Sequence, residues 1–224
     1  MDHGSSAACG RRVYGTMNGN KTLAILGAGG FGAEVLESAR AVGWMKHVFF
    51  DDAPGMVGLT ICGAVCEGSL EAFLASELLA FVIAIGNNRV RHDWGERLRK
   101  AGKKQTILVH PSAVVSPSAV LSAGTIIAPL VFIGPNVRVG RDVIVNVGAS
   151  IGHDAVLGDA VQVCPGVRVS GWASIEEGAF VGSNAVIAPR VSVKSWAKVA
   201  AGSFATRDVQ ADTLVMGVPA RRVE

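Results

Sequence analysis

The chain has 224 residues, half of them hydrophobic, and a formal net charge of +3, enough to bury one large core or two small ones and too apolar for a chain disordered throughout. Its basic residues are scattered rather than blocked, which argues against nucleic acid or an anionic membrane as a partner. The four cysteines, Cys9, Cys62, Cys66 and Cys164, make no C-x-x-C pair, so neither a zinc site nor a disulfide framework is expected, and they read as reduced thiols of a cytoplasmic protein.

Residues 1–20, rich in Gly, Ser, Asn and Arg, contain no apolar run of the kind a secretory signal needs and read as a flexible tail. Residues 22–26 form a short apolar run, 31–42 suit a helix and 47–50 suit a strand, which opens a βαβ unit. A helix over 69–78, a buried strand over 81–85, a charged helix over 89–101 and a strand over 106–109 continue the alternation. The expectation is a small parallel sheet of about four strands over residues 21–110, with a domain boundary at His110 and Pro111. The longest strongly apolar stretch, residues 78–85, is too short to cross a bilayer, so no membrane insertion is expected.

From Val115 the period becomes six. Every sixth residue to Val199 is aliphatic, fifteen in all, and the residue four places further on, from Ala119 to Ser203, is always Ala, Val, Thr or Ser. The neighbouring register, Ser116, Ser122, Ala128, Gly134, Gly140, Asn146, Gly152, lacks this pattern, so the signal belongs to one register. A short strand and a corner consume six residues, and three such units close a triangular turn of eighteen. Five coils over residues 111–206 make a prism about 24 Å tall at a strand spacing of ~4.8 Å, followed by a C-terminal extension over 207–224.

The segment Gly27 to Gly32 fits G-x-G-x-x-G between a strand and a helix, with Asp51 at the end of the next strand, as in a dinucleotide site. The domain over 21–110 has only about 90 residues before the hexads start, however, room for one mononucleotide unit rather than two. A nucleotide diphosphate on the helix N-terminus fits better; a tight turn without ligand is the alternative. Of five histidines, only His110 and His153 fall in or beside the repeat. His110 reads as support for the domain boundary. A lone histidine is usually structural, but His153 stands at the third place of its hexad, near a corner, and is followed by Asp154.

The pairs Ile133-Gly134, Val139-Gly140, Ile151-Gly152, Leu157-Gly158 and Val181-Gly182 resemble the hexapeptide acyltransferases. With Gly27-Ala28-Gly29-Gly30-Phe31-Gly32, Phe50-Asp51-Asp52, Ile85-Gly86-Asn87-Asn88, His110-Pro111-Ser112-Ala113, Ile151-Gly152-His153-Asp154 and residues 215–220, the chain from 21 to 224 resembles the nucleotide-sugar branch of that superfamily, which includes bacillosamine-pathway, perosamine and sialic-acid acetyltransferases. The resemblance implies an α/β Rossmann-like N-terminal domain followed by an all-β left-handed parallel β-helix. It implies a homotrimer with intersubunit active sites, acetyl-CoA as co-substrate and no permanently bound cofactor or metal.

By the same resemblance His153 is the general base and Asp154 raises its basicity. Gly29, Gly30 and Phe31 contact the sugar nucleotide, Asp51 and Asp52 hold the nucleoside, and Gly86 and Asn87 line the pocket. Acetyl-CoA touches Gln162, Gly171, Ser183 and Ala201. Phe31 and Gln162 depart from histidines common in the family at those places. The repeat adds that Gly171, eighteen residues beyond His153, stacks one coil away and offers an oxyanion donor. Lys194, Lys198, Arg207, Arg221 and Arg222 are solvated charges or contacts to CoA phosphates. No Ser or Cys is placed as an acyl-enzyme nucleophile, which favours direct transfer.

The implied reaction is N-acetylation of a nucleotide-linked 4-amino-4,6-dideoxy sugar such as GDP-perosamine or a UDP or dTDP analogue, with O-acetylation of a sialic acid as the alternative. A γ-type carbonic anhydrase would need three histidine ligands, and an ice-binding helix a threonine ladder; the hexads supply neither.

Overall fold

The computed structural model describes residues 21–223; the tail expected over 1–20 and Cys9 lie outside them. In the N-terminal domain β1 (Thr22–Leu26), β2 (Lys46–Phe50) and β5 (Ala80–Ile83) run parallel, with β1 between the other two. Almost all of β1 is buried, as the uninterrupted aliphatic run of a strand covered on both faces requires. Helices α1 (Gly30–Ala41), α2 (Leu70–Ala75) and α3 (Asn88–Lys100) fall where the periodicity places them. Helix α2 stops earlier than expected, where the Ser76 hydroxyl donates to the Phe73 carbonyl.

The sheet is larger than the expected four parallel strands. Between β2 and α2, β3 (Thr60–Ile61) pairs antiparallel with β4 (Ala64–Gly68), and with residues 104–105 at the far edge the order begins β3-β4-β2-β1-β5. Its turn is Cys62-Gly63, both at positive φ. The strand expected over 106–109 is divided: β6 (Lys104–Gln105) ends this sheet, whereas β7 (Leu108–Val109) pairs with Ile126–Ile127 in the β-helix. The first coil therefore begins before His110.

From β8 (Val114–Val115) a two-residue strand recurs every six residues to β23 (Phe204–Ala205), and each pairs in parallel with the strand eighteen residues away, as Ile133 with Ile151 and Ile151 with Val169. The three resulting sheets are the faces of a triangular prism. The aliphatic register is buried from Leu121 to Val199, with Val115 half-buried at the open end, and the small register is buried throughout from Ala119 to Ser203. One further regularity sets the corners: the fourth residue of every hexad from Gly124 to Gly202 has positive φ. Gly, Asn and Asp, which tolerate that region, fill most of these places; Leu130, Ala160, Trp172, Arg190 and Trp196 are the exceptions. The glycine after the aliphatic residue answers a second constraint, because a Cβ on Gly152 would lie 2.7 Å from the Gly171 nitrogen in the next coil.

The C-terminal extension continues the prism. β24 (Leu214–Gly217) joins the longest sheet beside Lys198–Val199, and β25 (Ala220–Arg222) folds back antiparallel on it.

The domains share a core. Leu108, Ile126 and Ile144, on the outer surface of that longest sheet, pack into the cluster that holds Val35, Leu36 and Ala39 of α1. Ile144→Val should destabilise by about 0.5–1.5 kcal/mol, read from urea unfolding; a neutral result would mean that the seam between the domains is loosely packed. Beside this seam, Arg91 of α3 is 1 % exposed. Its guanidinium donates to the carbonyls of Ile85 (2.7 Å), Asp142 (2.9 Å) and Ala160 (2.8 Å) and to Asn88 Oδ1 (3.0 Å). Asn88 itself donates to the Gly178 carbonyl at 3.0 Å. The Asp142 carboxylate, also buried, meets Arg99 at 2.5 Å and Gln105. No helix among the described residues is long and apolar enough to cross a membrane.

Candidate active site

His153 lies on a corner of the prism between the strands Ser150–Ile151 and Val156–Leu157. Successive residues of a strand point to opposite faces, but Asp154 has φ 58°, and that left-handed turn brings its carboxylate back to the ring. His153 Nδ1 lies 2.9 Å from Asp154 Oδ2, and Asn136, one coil below, donates to Asp154 Oδ1 at 3.1 Å. These two hydrogen bonds, His153's first, hold the Asp154 carboxyl below the usual carboxylate range. An ionised Asp154 can only accept, so Nδ1 carries the proton and Nε2 is left bare toward solvent. The His153 side chain is 60 % exposed, open to a ligand.

The coil above supplies the rest of the corner. A Cβ on Gly171 would lie 2.6 Å from His153 Nε2, so a side chain there would push the imidazole aside, and the Gly171 backbone N–H donates to no acceptor among the described residues. Trp172 sets its indole edge-to-face against the imidazole at a centroid distance of 4.9 Å, and its backbone N–H donates to the His153 carbonyl at 3.0 Å. The geometry is a bare imidazole nitrogen beside a free backbone donor. That pairing can take a proton from a nucleophile and steady the oxygen of the carbonyl it attacks.

The second group of residues gathers at the carboxyl ends of β1, β2 and β5, where the strand order departs in two directions from β1, the place where open α/β sheets bind ligands. Gly29 and Gly30 open α1 facing free space, with no side-chain cap and no acid in the first turn, a favourable seat for an anion. Phe31 leans instead on the α1 core. Asp51 accepts from Ala28 N (2.6 Å) and Ala53 N (2.8 Å), and Asp52 accepts from Leu70 N (2.9 Å) at the start of α2. Asn87 caps α3 by accepting from Arg89 N and Val90 N. Gly86 and Asn87 line a cavity of about 560 Å³, closed on its other side by Gly178, Phe180, Trp196, Lys198 and Asp212 of the prism.

The four residues expected at acetyl-CoA do not meet in one chain. Gly171 touches His153; Ser183 and Ala201 stack on a different corner, where a Cβ on Gly182 would lie 2.6 Å from Ala201 N; Gln162 faces α3, its Oε1 3.4 Å from Arg91 Nη1. His110 braces the first coil, its Nδ1 2.8 Å from Ser112 Oγ. Cys164 is buried, which pushes its thiol pKa up and makes it a poor nucleophile.

The profile of the PglD N-terminal domain matches residues 22–98, and that of the hexapeptide repeat of succinyl-transferase matches 130–160 and 173–207. The acetyltransferase domain of PglB from Neisseria gonorrhoeae, solved with acetyl coenzyme A, is 32% identical over 92% of this chain and 100% of its own, with a TM-score of 0.87. PerB from Caulobacter crescentus, solved with CoA and GDP-perosamine, is 33% identical over 92% of this chain and 98% of its own, with a TM-score of 0.85. WeeI from Acinetobacter baumannii is 27% identical over 91% of this chain and 100% of its own, with a TM-score of 0.81. The chain belongs to the hexapeptide-repeat nucleotide-sugar acetyltransferases.

As in that family, the prism of this acetyltransferase is a left-handed parallel β-helix behind a Rossmann-like domain. Three features of the acetyltransferase escaped sequence reasoning: Asn136 behind Asp154, Trp172 against His153, and the Arg91 anchor. Asn136 and Asp154 were discoverable, being eighteen residues apart on one corner. Trp172 shares that column but reads as an anomaly in it, and nothing in the charged run over 88–100 distinguishes Arg91 from its neighbours.

Proposed function

We propose that this acetyltransferase transfers the acetyl group of acetyl-CoA to the amino group of a nucleotide-linked 4-amino-4,6-dideoxy sugar, with His153 as general base and no acyl-enzyme. The observation that carries the reading is the bare Nε2 of His153, whose other nitrogen is tied to Asp154, beside the free N–H of Gly171. The amine nitrogen attacks the thioester carbon, the carbonyl oxygen gathers charge against Gly171 N–H, and Nε2 takes the amine proton. Collapse breaks the carbon–sulfur bond, and the departing CoA thiolate recovers the proton from the imidazolium. The raised thiol pKa of Cys164 supports direct transfer over a ping-pong route.

On the acceptor side, the uncapped N-terminus of α1 suits a pyrophosphate, and Asp51 and Asp52 frame the nucleoside from the ends of β2. The complex of PerB with CoA and GDP-perosamine supports an amino sugar over the O-acetylation of a sialic acid. The α1 crevice and the cavity at Gly86 face one corner of the prism and His153 another, and the expected acetyl-CoA residues are also spread over separate parts of the prism. A homotrimer resolves this, each His153 serving a sugar nucleotide held by a neighbouring copy.

Gly30→Val tests the arrangement. A Cβ at Gly30 meets nothing within 4 Å, so the variant should fold while losing about tenfold or more of its nucleotide-sugar affinity through blocked backbone approach, with acetyl-CoA binding intact by calorimetry. Trimers reassembled from Gly30→Val and His153→Asn chains should regain activity that neither has alone. A fully active monomer by light scattering, or equal loss of both ligands, would overturn the shared-site reading.

A further inference from the structure

Asp154, Trp172 and Arg190 are stacked one above another, eighteen residues apart, on the corner that carries His153. Each occupies the left-handed place of its hexad, with φ of 58°, 59° and 63°. The coil imposes that conformation at every corner, and Gly, Asn or Asp accept it with least cost. An indole there is held against local preference, and tertiary packing does not account for it, since Trp172 is 38 % exposed. Among the described residues its ring meets the imidazole of His153 edge-to-face at 4.9 Å and the guanidinium of Arg190, 5.0 Å from the ring centroid on the next coil. Arg190 has no carboxylate partner among the described residues, so the ring is its one evident tether.

The His153 ring needs such a neighbour. It is open to solvent, and the hydrogen bond to Asp154 fixes one nitrogen while leaving the ring plane free to tilt about that bond. Gly171 offers no side chain to stop the tilt. An aromatic edge or face at right angles to the imidazole does, at a centroid separation typical of favourable T-shaped pairs.

We propose that Trp172, steadied by Arg190, is a positioning residue for acetyl transfer: it locks the His153 ring so that Nε2 stays beside the Gly171 N–H. The inference rests on the reading of His153 as the base. Loss of the lock misplaces the proton acceptor without touching either substrate's binding groups, and small misplacements of a reacting group are costly in rate.

The test compares Trp172→Asn, which suits positive φ and deletes the indole, with Trp172→Phe, which keeps an aromatic face. In the full-length protein, Trp172→Asn should lower kcat about tenfold to a hundredfold, leave both KM values within about twofold, and leave Tm unchanged or higher; Trp172→Phe should recover most of kcat. Independently of turnover, NMR relaxation of the His153 ring C–H bonds should show one fixed ring orientation in the wild type and in Trp172→Phe and a widened angular spread in Trp172→Asn, with the Nδ1–H tautomer kept in all three. The proposal is overturned if Trp172→Asn keeps its kcat, if KM rises while kcat holds, or if Tm falls in both variants with the His153 signals unchanged. Were the wild type to acetylate no amino sugar at all, the functional reading would fail, yet the NMR comparison would still decide whether Trp172 orients the ring.

Discussion

Replacing His153 by asparagine should lower kcat by about 10²–10⁴, or roughly 3–5 kcal/mol in the barrier, the contribution of a positioned general base. Asparagine keeps comparable size and can hydrogen-bond to Asp154, so the corner stays intact and both ligand affinities should survive. What is lost is the bare nitrogen that Asp154 leaves facing outward by holding Nδ1–H at 2.9 Å. The wild-type rate should fall on acidification, because a protonated imidazole cannot take the amine's proton; the asparagine variant should lose that limb of the profile. Asp154→Asn should cost less, because it removes the partner that orients and charges the base rather than the base itself. If His153→Asn kept most of its kcat with the same pH profile, some other group would be the proton acceptor and the assignment of this corner would fall.

The prism was legible because its interior admits one class of residue. A triangular core closed by eighteen residues per turn accepts only aliphatic and small side chains at two places per hexad, and Leu121 to Val199 together with Ala119 to Ser203 are buried as that demands. The same rows say nothing about which outer faces are covered. Ile144-Val145 and Val156-Leu157 are indistinguishable as patterns, yet Ile144 is buried under α1 while Val156 is 42% exposed, because only the docked domain decides between them. The β3-β4 hairpin was invisible for the opposite reason: two paired residues around Cys62-Gly63 leave no period to detect.

For the site, the residues were legible and their joint geometry was not. His153 and Asp154 stood out, but a strand would have turned them apart; the left-handed φ of Asp154 unites them, and that conformation was written in the recurrence of Gly, Asn and Asp at the fourth place of the hexads. Leu130, Ala160, Trp172, Arg190 and Trp196 interrupt the recurrence and hide it. Asp51 and Asp52 follow β2, where the strand pattern puts them, while the backbone N–H groups they cap depend on how the loops after β1 and β2 meet.

Arg91→Met should be the most destabilising single change outside the prism, by about 3–5 kcal/mol. Methionine nearly fills the same space, so the loss isolates the guanidinium. Burial lowers the pKa of Arg91 to about 10, which still leaves it a cation at neutral pH, surrounded by the carbonyls of Ile85, Asp142 and Ala160 and by Asn88 Oδ1. A buried ion pair replaced whole by apolar groups is often neutral, because both charges vanish together. Here three of the four acceptors are backbone oxygens, and those of Asp142 and Ala160 stay buried after the substitution, each left without a donor at roughly 1–3 kcal/mol. The buried Asp142 carboxylate also loses a nearby positive charge and keeps only Arg99 and Gln105. Since Ile85 and Asn88 flank Gly86 and Asn87, the loosened α3 should also weaken nucleotide-sugar binding while acetyl-CoA binding is retained. The measurement is urea unfolding of the wild type, Arg91→Met and Arg91→Lys. Lysine should recover only part of the loss, because a single ammonium cannot span four acceptors set around a planar fork. A loss below about 1 kcal/mol in Arg91→Met, the range of an exposed charge, would show that water replaces the guanidinium and that α3 is held to the β-helix by its apolar contacts alone.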